Sequence, residues 1–386
     1  MTGERKGFDF DWIGRMWLFI IMSTVLVAGS VALVATRGLN FGIDFAGGYE
    51  IQVKFPETVS ETQIREVLEP LNVDFGVQRY GKPEDNTHLI LVRKHGTVTK
   101  EGRAAIEADF QALAGGAEGL STWSMAESGE NITAGFLAPV DEAKVRGLLD
   151  KHGLTIKKLS RSEREDQPEY SIQLVSLAGK IESALRAGFK IAADWPLVPR
   201  VEFVGPQVGE QLRNQGFMAV LYSFFFILLY VAVRFDLFFA PGAVIALVHD
   251  VTITVGVFAF TGLEFNLTVV AGLLTLVGYS INDTIVVYDR IRENVVRLRG
   301  RDLRGMVNTS MNETMSRTIL TSFLTLLVVA ALFIFGGEVI KPFAVSLLVG
   351  ITIGTYSSIY IASPIYILLK ERFHKGATAA DVATAT

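Results

Sequence analysis

The chain has 386 residues, 50% of them hydrophobic and 20% charged, with 36 Lys and Arg against 40 Asp and Glu. A net charge of −4 argues against nucleic acid as a partner, and the absence of cysteine excludes disulfides and thiol chemistry. The charges are segregated: residues 37–213 hold most of them, and the rest reads as apolar blocks joined by charged connectors.

Residues 1–15 carry Arg5, Lys6 and Arg15 and lead into the first apolar block, Met16–Thr36. Its run of about twenty residues is long enough to span a bilayer and exceeds the usual signal-peptide core. Ala35-Thr36-Arg37-Gly38 is also a poor cleavage site, so the block is expected to be an uncleaved signal-anchor.

Residues 37–213 form the one large polar segment. Tyr49–Phe55 alternates apolar and polar, which predicts a half-buried strand. Ser60 with Gln63 predicts a capping box, and Ile64, Val67, Leu68 and Leu71 form a helical stripe behind it. Strands are predicted at Val73–Tyr80 and His88–Arg93, a helix at Lys100–Leu113 and a strand at Leu120–Met125. That order, βαββαβ, is ferredoxin-like. The pattern then recurs: Val59–Arg65 matches Val140–Arg146, 81 residues on. Leu154–Leu159, the alternation Tyr170, Ile172, Leu174 and the stripe Leu177–Ala187 follow in the same order. Two tandem ferredoxin-like units are expected, about 49–130 and 131–204, although two ordinary amphipathic helices would also give so short a match. No nucleophile–His–carboxylate pattern is present, and His88, His95 and His152 lack metal-ligand spacing and read as solvated positions. No metal or cofactor is expected. The edge of such a sheet would suit an extended chain added as a strand.

Five further blocks read as spanning helices: Gln215–Val233, Leu237–Leu263, Leu267–Tyr288, Thr318–Phe335 and Phe343–Leu369. With the first they make six, the last five lying within 214–370. The alternative is a set of buried helices in a large soluble protein. The connector 289–317 carries Arg290, Arg292, Arg297, Arg299, Arg301, Arg304 and Arg317, and the tail 371–386 with Lys370 before it adds Arg372 and Lys375. The opposite connectors hold only Lys341, so both termini are expected in the cytoplasm and 37–213 outside.

Polar residues inside the apolar blocks are the candidate functional groups. A carboxylate at mid-membrane costs about 2.5–3.5 kcal/mol on insertion scales, so it marks a pathway or a partner. Asp283 stands with Asn282 in the fourth block, and His249-Asp250 about halfway along the third. The fifth opens with Arg317 beside a threonine stripe, Thr314, Thr318, Thr321 and Thr325. Counted inward from Arg290, Asp283 lies roughly 10 Å deep, within reach of an arginine entering from the same side. An Asp283–Arg317 pair would serve as a proton switch, since burial and a nearby cation act in opposite senses on a carboxylate. The competing readings are a static salt bridge, an interfacial anchor for Arg317, and an Asp250 held by His249 or hydroxyls without a proton role. His249 is expected as a hydrogen-bonding partner. Gly350, Gly354, Ser358 and Ala362 give a small-residue face for close helix packing.

Several stretches together resemble one family. They are Leu39–Gly48 (LNFGIDFAGG), Phe203–Gly209 (FVGPQVG), Ala246–Asp250, Gly278–Asn294, Asn312–Ser322, Phe335–Gly337 and Gly354–Ser358. On these the chain resembles the SecF family of bacterial protein-export membrane proteins, in the resistance–nodulation–division superfamily. The resemblance implies a multi-pass protein of the bacterial inner membrane that is not an enzyme. It would pair with SecD to complete a twelve-helix unit beside SecYEG, with a YajC-like accessory, and use the proton motive force in late translocation of preproteins. It places Asp283, Arg317 and Asp250 on the proton pathway, with Asn282, His249, Thr318 and Thr321 as supporting polar groups. Gly42, Asp44, Gly47, Gly48, Gly205, Pro206 and Gly209 fall on its structural motifs. The departure is the external segment, longer than the family's usual single unit; 140–204 resembles that unit and 56–130 a duplicate. A small-molecule exporter half of the same superfamily and an intramembrane aspartyl protease built on Asp250 and Asp283 are the alternatives.

Overall fold

The computed structural model describes residues 10–81, 83–93, 98, 100–162, 167–235, 237–298 and 301–383. Arg5, Lys6, His95 and Arg299 lie outside the described residues. In chain order the elements begin with α1 (Met16–Arg37) and β1 (Asn40–Phe41). There follow α2 (Ile43–Ala46), β2 (Gly48–Lys54), α3 (Glu61–Leu68), β3 (Phe75–Tyr80), β4 (Thr87–Arg93), α4 (Lys100–Leu113), β5 (Leu120–Met125) and β6 (Asn131–Phe136). Then come α5 (Glu142–Lys151), β7 (Ile156–Arg161), β8 (Glu169–Leu174), α6 (Leu177–Phe189) and β9 (Arg200–Val204). The remainder is α7 (Pro206–Arg234), α8 (Phe239–Thr261), β10 (Glu264–Phe265), α9 (Leu267–Arg297), α10 (Leu303–Phe335), α11 (Lys341–Ser357) and α12 (Ser363–Ala383). The chain forms two compact units, Gly42–Arg213 and the rest.

In the external unit, Gly42–Arg213, the predicted order βαββαβ occurs twice, but the boundary is not where the sequence places it. One sheet has the order β3-β4-β2-β9 and the other β5-β6-β8-β7, and every pairing in both is antiparallel. Each is ferredoxin-like, its last strand lying beside its first. The last strand comes from the other repeat. Leu177, Ile181 and Leu185 of α6 pack on Ile51, Ile64 and Ile90, whereas Ile106 and Phe110 of α4 pack on Ile132, Val145 and Tyr170. The repeats thus exchange their terminal α–β pairs, and 49–130 and 131–204 are units of sequence rather than of packing. The second sheet with its helices is an insertion between β4 and α6. Excising 98–174 with a short Gly/Ser joint should leave a protease-resistant first sheet. Removing 56–130 takes elements from both sheets, and that protein should not accumulate in the membrane. Limited proteolysis of both variants decides it.

The capping box forms as expected: Gln63 N–H donates to Ser60 Oγ at 3.3 Å and Ser60 N–H to Gln63 Oε1 at 2.9 Å. The histidines divide. His152 meets Asp109 at 2.8 Å, which with Lys151 holds that carboxyl below its ordinary range. His88 corrects the solvated reading: it is 1% exposed, edge-on to Phe55, and neither ring nitrogen has a hydrogen-bond partner among the described residues. Burial, reinforced by Arg79, pushes its pKa down. An unfolded His88 binds a proton near pH 6.5 and the folded one resists it, so stability is lost as pH falls below about 6.5. His88→Met should flatten that acid limb in thermal melts; an unchanged limb would place its origin elsewhere.

Among the described residues, six helical segments are long and apolar enough to cross a membrane: α1, α7, α8, α9, α10 and α11 continuing into α12. Five of them run past the expected blocks, whereas α8 falls two residues short of its block at each end. The arginine-rich connector is mostly helix, because α9 runs to Arg297 and α10 starts at Leu303. This stretch is laced by Glu313, which pairs with Arg290 and Arg297 and accepts from Asn294 Nδ2 at 2.8 Å. The small-residue face of α11 meets α9: a Cβ at Gly350 would crowd Leu276 and one at Gly354 would lie 3.0 Å from Ser280 Cβ. A π-turn, Ser358–Ala362, joins α11 to α12. Asn308 and Asn312 on α10 clamp the segment before α1; Trp12 N–H donates to Asn308 Oδ1 at 2.8 Å and Trp12 Nε1 to Asn312 Oδ1 at 2.9 Å.

Candidate functional site

Of the candidate groups of the membrane helices, Asp250 and Asp283 are buried among α8, α9, α10 and α11, whereas Asn282 and Arg317 are exposed. The first half of α8 buries Ala240, Gly242, Ala243 and Ala246, small enough to let neighbouring backbones close in. One turn further, Asp250 is fully buried. Its Oδ2 accepts from Ser280 Oγ of α9 at 2.6 Å and from Ser357 Oγ of α11 at 2.8 Å, and its Oδ1 faces His249 Nδ1 at 2.9 Å. A buried carboxylate needs such donors, and here three helix positions supply them.

Asp283 is 2% exposed, on the same buried face of α9 as Ser280 and Thr284. Its Oδ2 accepts from Ser322 Oγ of α10 at 3.2 Å, and Ser322 Oγ in turn accepts from Thr355 Oγ1 of α11 at 2.7 Å. The carboxylate is thereby tied to three helices. The expected pair with Arg317 is not formed: no ion pair joins the two among the described residues, and Arg317 is exposed. The reason is helical phase. Thr314, Thr318 and Ser322, spaced by four, make the buried stripe, and Arg317 stands one position off it. Thr318 Oγ1 is buried without a partner among the described residues, while Thr321 donates back to the Arg317 carbonyl at 3.0 Å. Asn282 is exposed, turned away from Asp283. Ser280, Ser322, Thr355 and Ser357 were missed by sequence reasoning. Hydroxyls back-bond to their own helix and are ordinary in spanning segments, so only their spacing against the carboxylates could have flagged them.

In the external unit the glycine motifs converge. Gly42 N-caps α2, whose first turn carries Asp44. Gly47, at φ +69°, brings α2 against α7: a Cβ there would lie 2.7 Å from Pro206 Cα, and one at Gly209 would lie 3.0 Å from Gly47 N. Gly48, at φ +129°, has no room for a Cβ, which would collide with the Val92 carbonyl across the β2–β4 ladder. A Cβ at Gly205 would run into the Glu127 carboxylate, which fills the space a side chain would need. Glu127 accepts from Gln207 N–H at 2.9 Å, and Glu130 from the Tyr49 hydroxyl at 2.6 Å. Both belong to the β5–β6 turn and were likewise unforeseen. Among the described residues, no group of three or more His, Cys, Asp or Glu could hold a metal.

Residues 188–372 match the family described as protein export membrane protein SecD/SecF, C-terminal, and residues 32–58 match the SecD/SecF GG motif. These matches, the six apolar helices and the glycine joint define a multi-pass membrane protein of the SecD/SecF type. Two relatives are named protein translocase subunit SecF. That of Magnetococcus marinus is 40% identical over 365 residues, covering 94% of this chain and 93% of its own. That of Calditerrivibrio nitroreducens is 38% identical over 365 residues, covering 94% of each. The chain belongs to the SecF family, the accessory subunits of the bacterial protein translocase. The crystal structure of SecDF from Thermus thermophilus, described as a translocon-associated membrane protein, is similar at TM-score 0.64 and 30% identity. The match covers 96% of this chain and 40% of the SecDF chain.

Proposed function

We propose that this subunit couples the proton motive force to late steps of preprotein translocation, working with SecD beside SecYEG and a YajC-like accessory, with both termini in the cytoplasm. The observation that carries the reading is Asp283: a carboxylate in a spanning helix, held by a hydroxyl chain joining α9, α10 and α11. Gain or loss of one proton there changes whether Ser322 faces an ionised or a neutral acceptor, and so biases how three helices pack. Asn282 and Arg317 support a second membrane subunit. Both are exposed polar side chains within spanning segments, and such groups are retained where a partner or an aqueous path receives them. A partner carboxylate opposite Arg317 would place the ion pair between subunits rather than within this chain.

The protease alternative is not favoured by the geometry, since Asp250 and Asp283 accept from different hydroxyls and share no hydrogen bond among the described residues. The test is export into membrane vesicles with and without a proton gradient, using Asp283→Asn. Gradient-driven stimulation that survives the substitution removes Asp283 from the pathway.

A further inference from the structure

The two sheets of the external unit do not share a core: Ile51, Ile64 and Ile181 belong to one cluster, Ile106, Ile132 and Tyr170 to the other. Two carboxylates of the β5–β6 turn reach from the second sheet to the first and to α7. Glu130 accepts from the Tyr49 hydroxyl at 2.6 Å, and Tyr49 is 1% exposed, so its hydroxyl would be costly to leave unpaired. Glu127 stands where a Cβ on Gly205 would have to go, and accepts from Gln207 N–H at 2.9 Å. The turn itself is fastened. Arg103 of α4 donates to the Met125 and Ala126 carbonyls at 2.7 and 2.6 Å, and Gly129, at φ +74°, lies so close to Val98 that a Cβ would come within 2.8 Å of its nitrogen.

What Glu127 holds is the start of α7. The first N–H groups of a helix have no partner within it. Pro206 has none to offer, and that of Gln207 goes to a carboxylate, a charge-assisted bond at the positive end of the helix dipole. The helix has few other anchors: of its 29 residues only Gly209, Gly216 and Val231 are buried. Its first turns are therefore fixed by the glycine joint with Gly47 and by Glu127, not by packing along its length. We propose that the inserted second sheet is a brace for α7. Glu127 is a positioning residue that fixes the first turns of the helix, and Glu130 seats the turn carrying it against β2. Because α7 is the stretch of chain that leads from the external unit to α8, the insertion acts on the membrane helices through their backbone.

The absence of native cysteine permits a direct test on the full chain in membranes. Spin labels at Lys158→Cys on β7 and Gln211→Cys on α7, both exposed, should report one narrow distance. Glu127→Ala should broaden it. Gly205→Ala, whose methyl group takes the place of the carboxylate, should broaden it in the same way. Glu127→Gln keeps an oxygen that accepts from Gln207 N–H, and should keep the distance narrow. A narrow distance in both alanine variants overturns the brace. Glu127→Ala should also lower gradient-driven export by about tenfold at unchanged protein level, with Glu127→Gln close to the parent. Full export in Glu127→Ala overturns the brace as a working part. The export arm rests on the proton-coupled reading and the distance arm does not: full export in Asp283→Asn would remove that reading and leave the distances as they are.

Discussion

Asp283→Asn is expected to abolish gradient-dependent export while leaving the protein at its normal level in the membrane. Asparagine matches aspartate in size and its amide oxygen can still accept from Ser322 Oγ, so the tie between α9 and α10 survives. What it cannot do is exchange a proton. Each proton moving down 100 mV supplies about 2.3 kcal/mol, roughly a 50-fold bias on a two-state equilibrium. Losing that bias should bring export with a gradient down to the level without one. Asp283→Ala is the informative contrast. It also removes the acceptor, so a buried hydroxyl is stranded and a further loss of about 1–3 kcal/mol in stability is expected. If Asn and Ala variants both export at full rate, the carboxylate is only a packing group.

Gly48→Ala should be among the most damaging single substitutions in the external unit. Gly48 sits at φ +129°, a region open essentially only to glycine, and a methyl group there would run into the Val92 carbonyl of the neighbouring strand. Strain and collision together put the loss at about 4 kcal/mol or more, a large fraction of the stability of an ordinary domain. Gly115 is the comparison: it also has a positive φ, +84°, but nothing stands within 4 Å of the place its methyl group would take. Gly115→Ala should cost only about 1 kcal/mol of backbone strain. Thermal melts and protease resistance of the two proteins measure the gap, and equal melting would show that β2 and β4 can separate at no cost.

The spanning helices were legible because bilayer thickness imposes a run length that composition reveals directly. Their ends were not, since α9 and α10 continue past the apolar stretch as charged amphipathic helix held by Glu313. The doubled βαββαβ order was legible in the strand alternation and in the matched Val59–Arg65 and Val140–Arg146. The exchange of terminal α–β pairs was not. A strand that pairs within its own repeat and one that pairs with the other repeat carry the same pattern, so periodicity cannot choose between them. Asp250 and Asp283 stood out as charges in apolar sequence. What surrounds them did not, because Ser280, Ser322 and Ser357 look like any small residues of a membrane helix. Arg317 does stand beside the threonine stripe, as read from the sequence, but among the described residues it makes no ion pair with Asp283.

The exchanged strands also set an order on biogenesis. β2 is the first strand of the external unit to be made, and its neighbour β9 the last, with the whole second sheet synthesised in between. The first sheet therefore presents β2 at an edge until residues 200–204 arrive, and so large a sequence separation makes the pairing of β2 with β9 slow. An open strand edge is also a template for pairing with other extended chains. A nascent copy stalled before β9 would leave β2 exposed as such an edge. Completion of the chain takes β2 out of reach and hands its exposed position to β9, the last strand of that unit to be made and one whose far side the finished sheet leaves unpaired among the described residues.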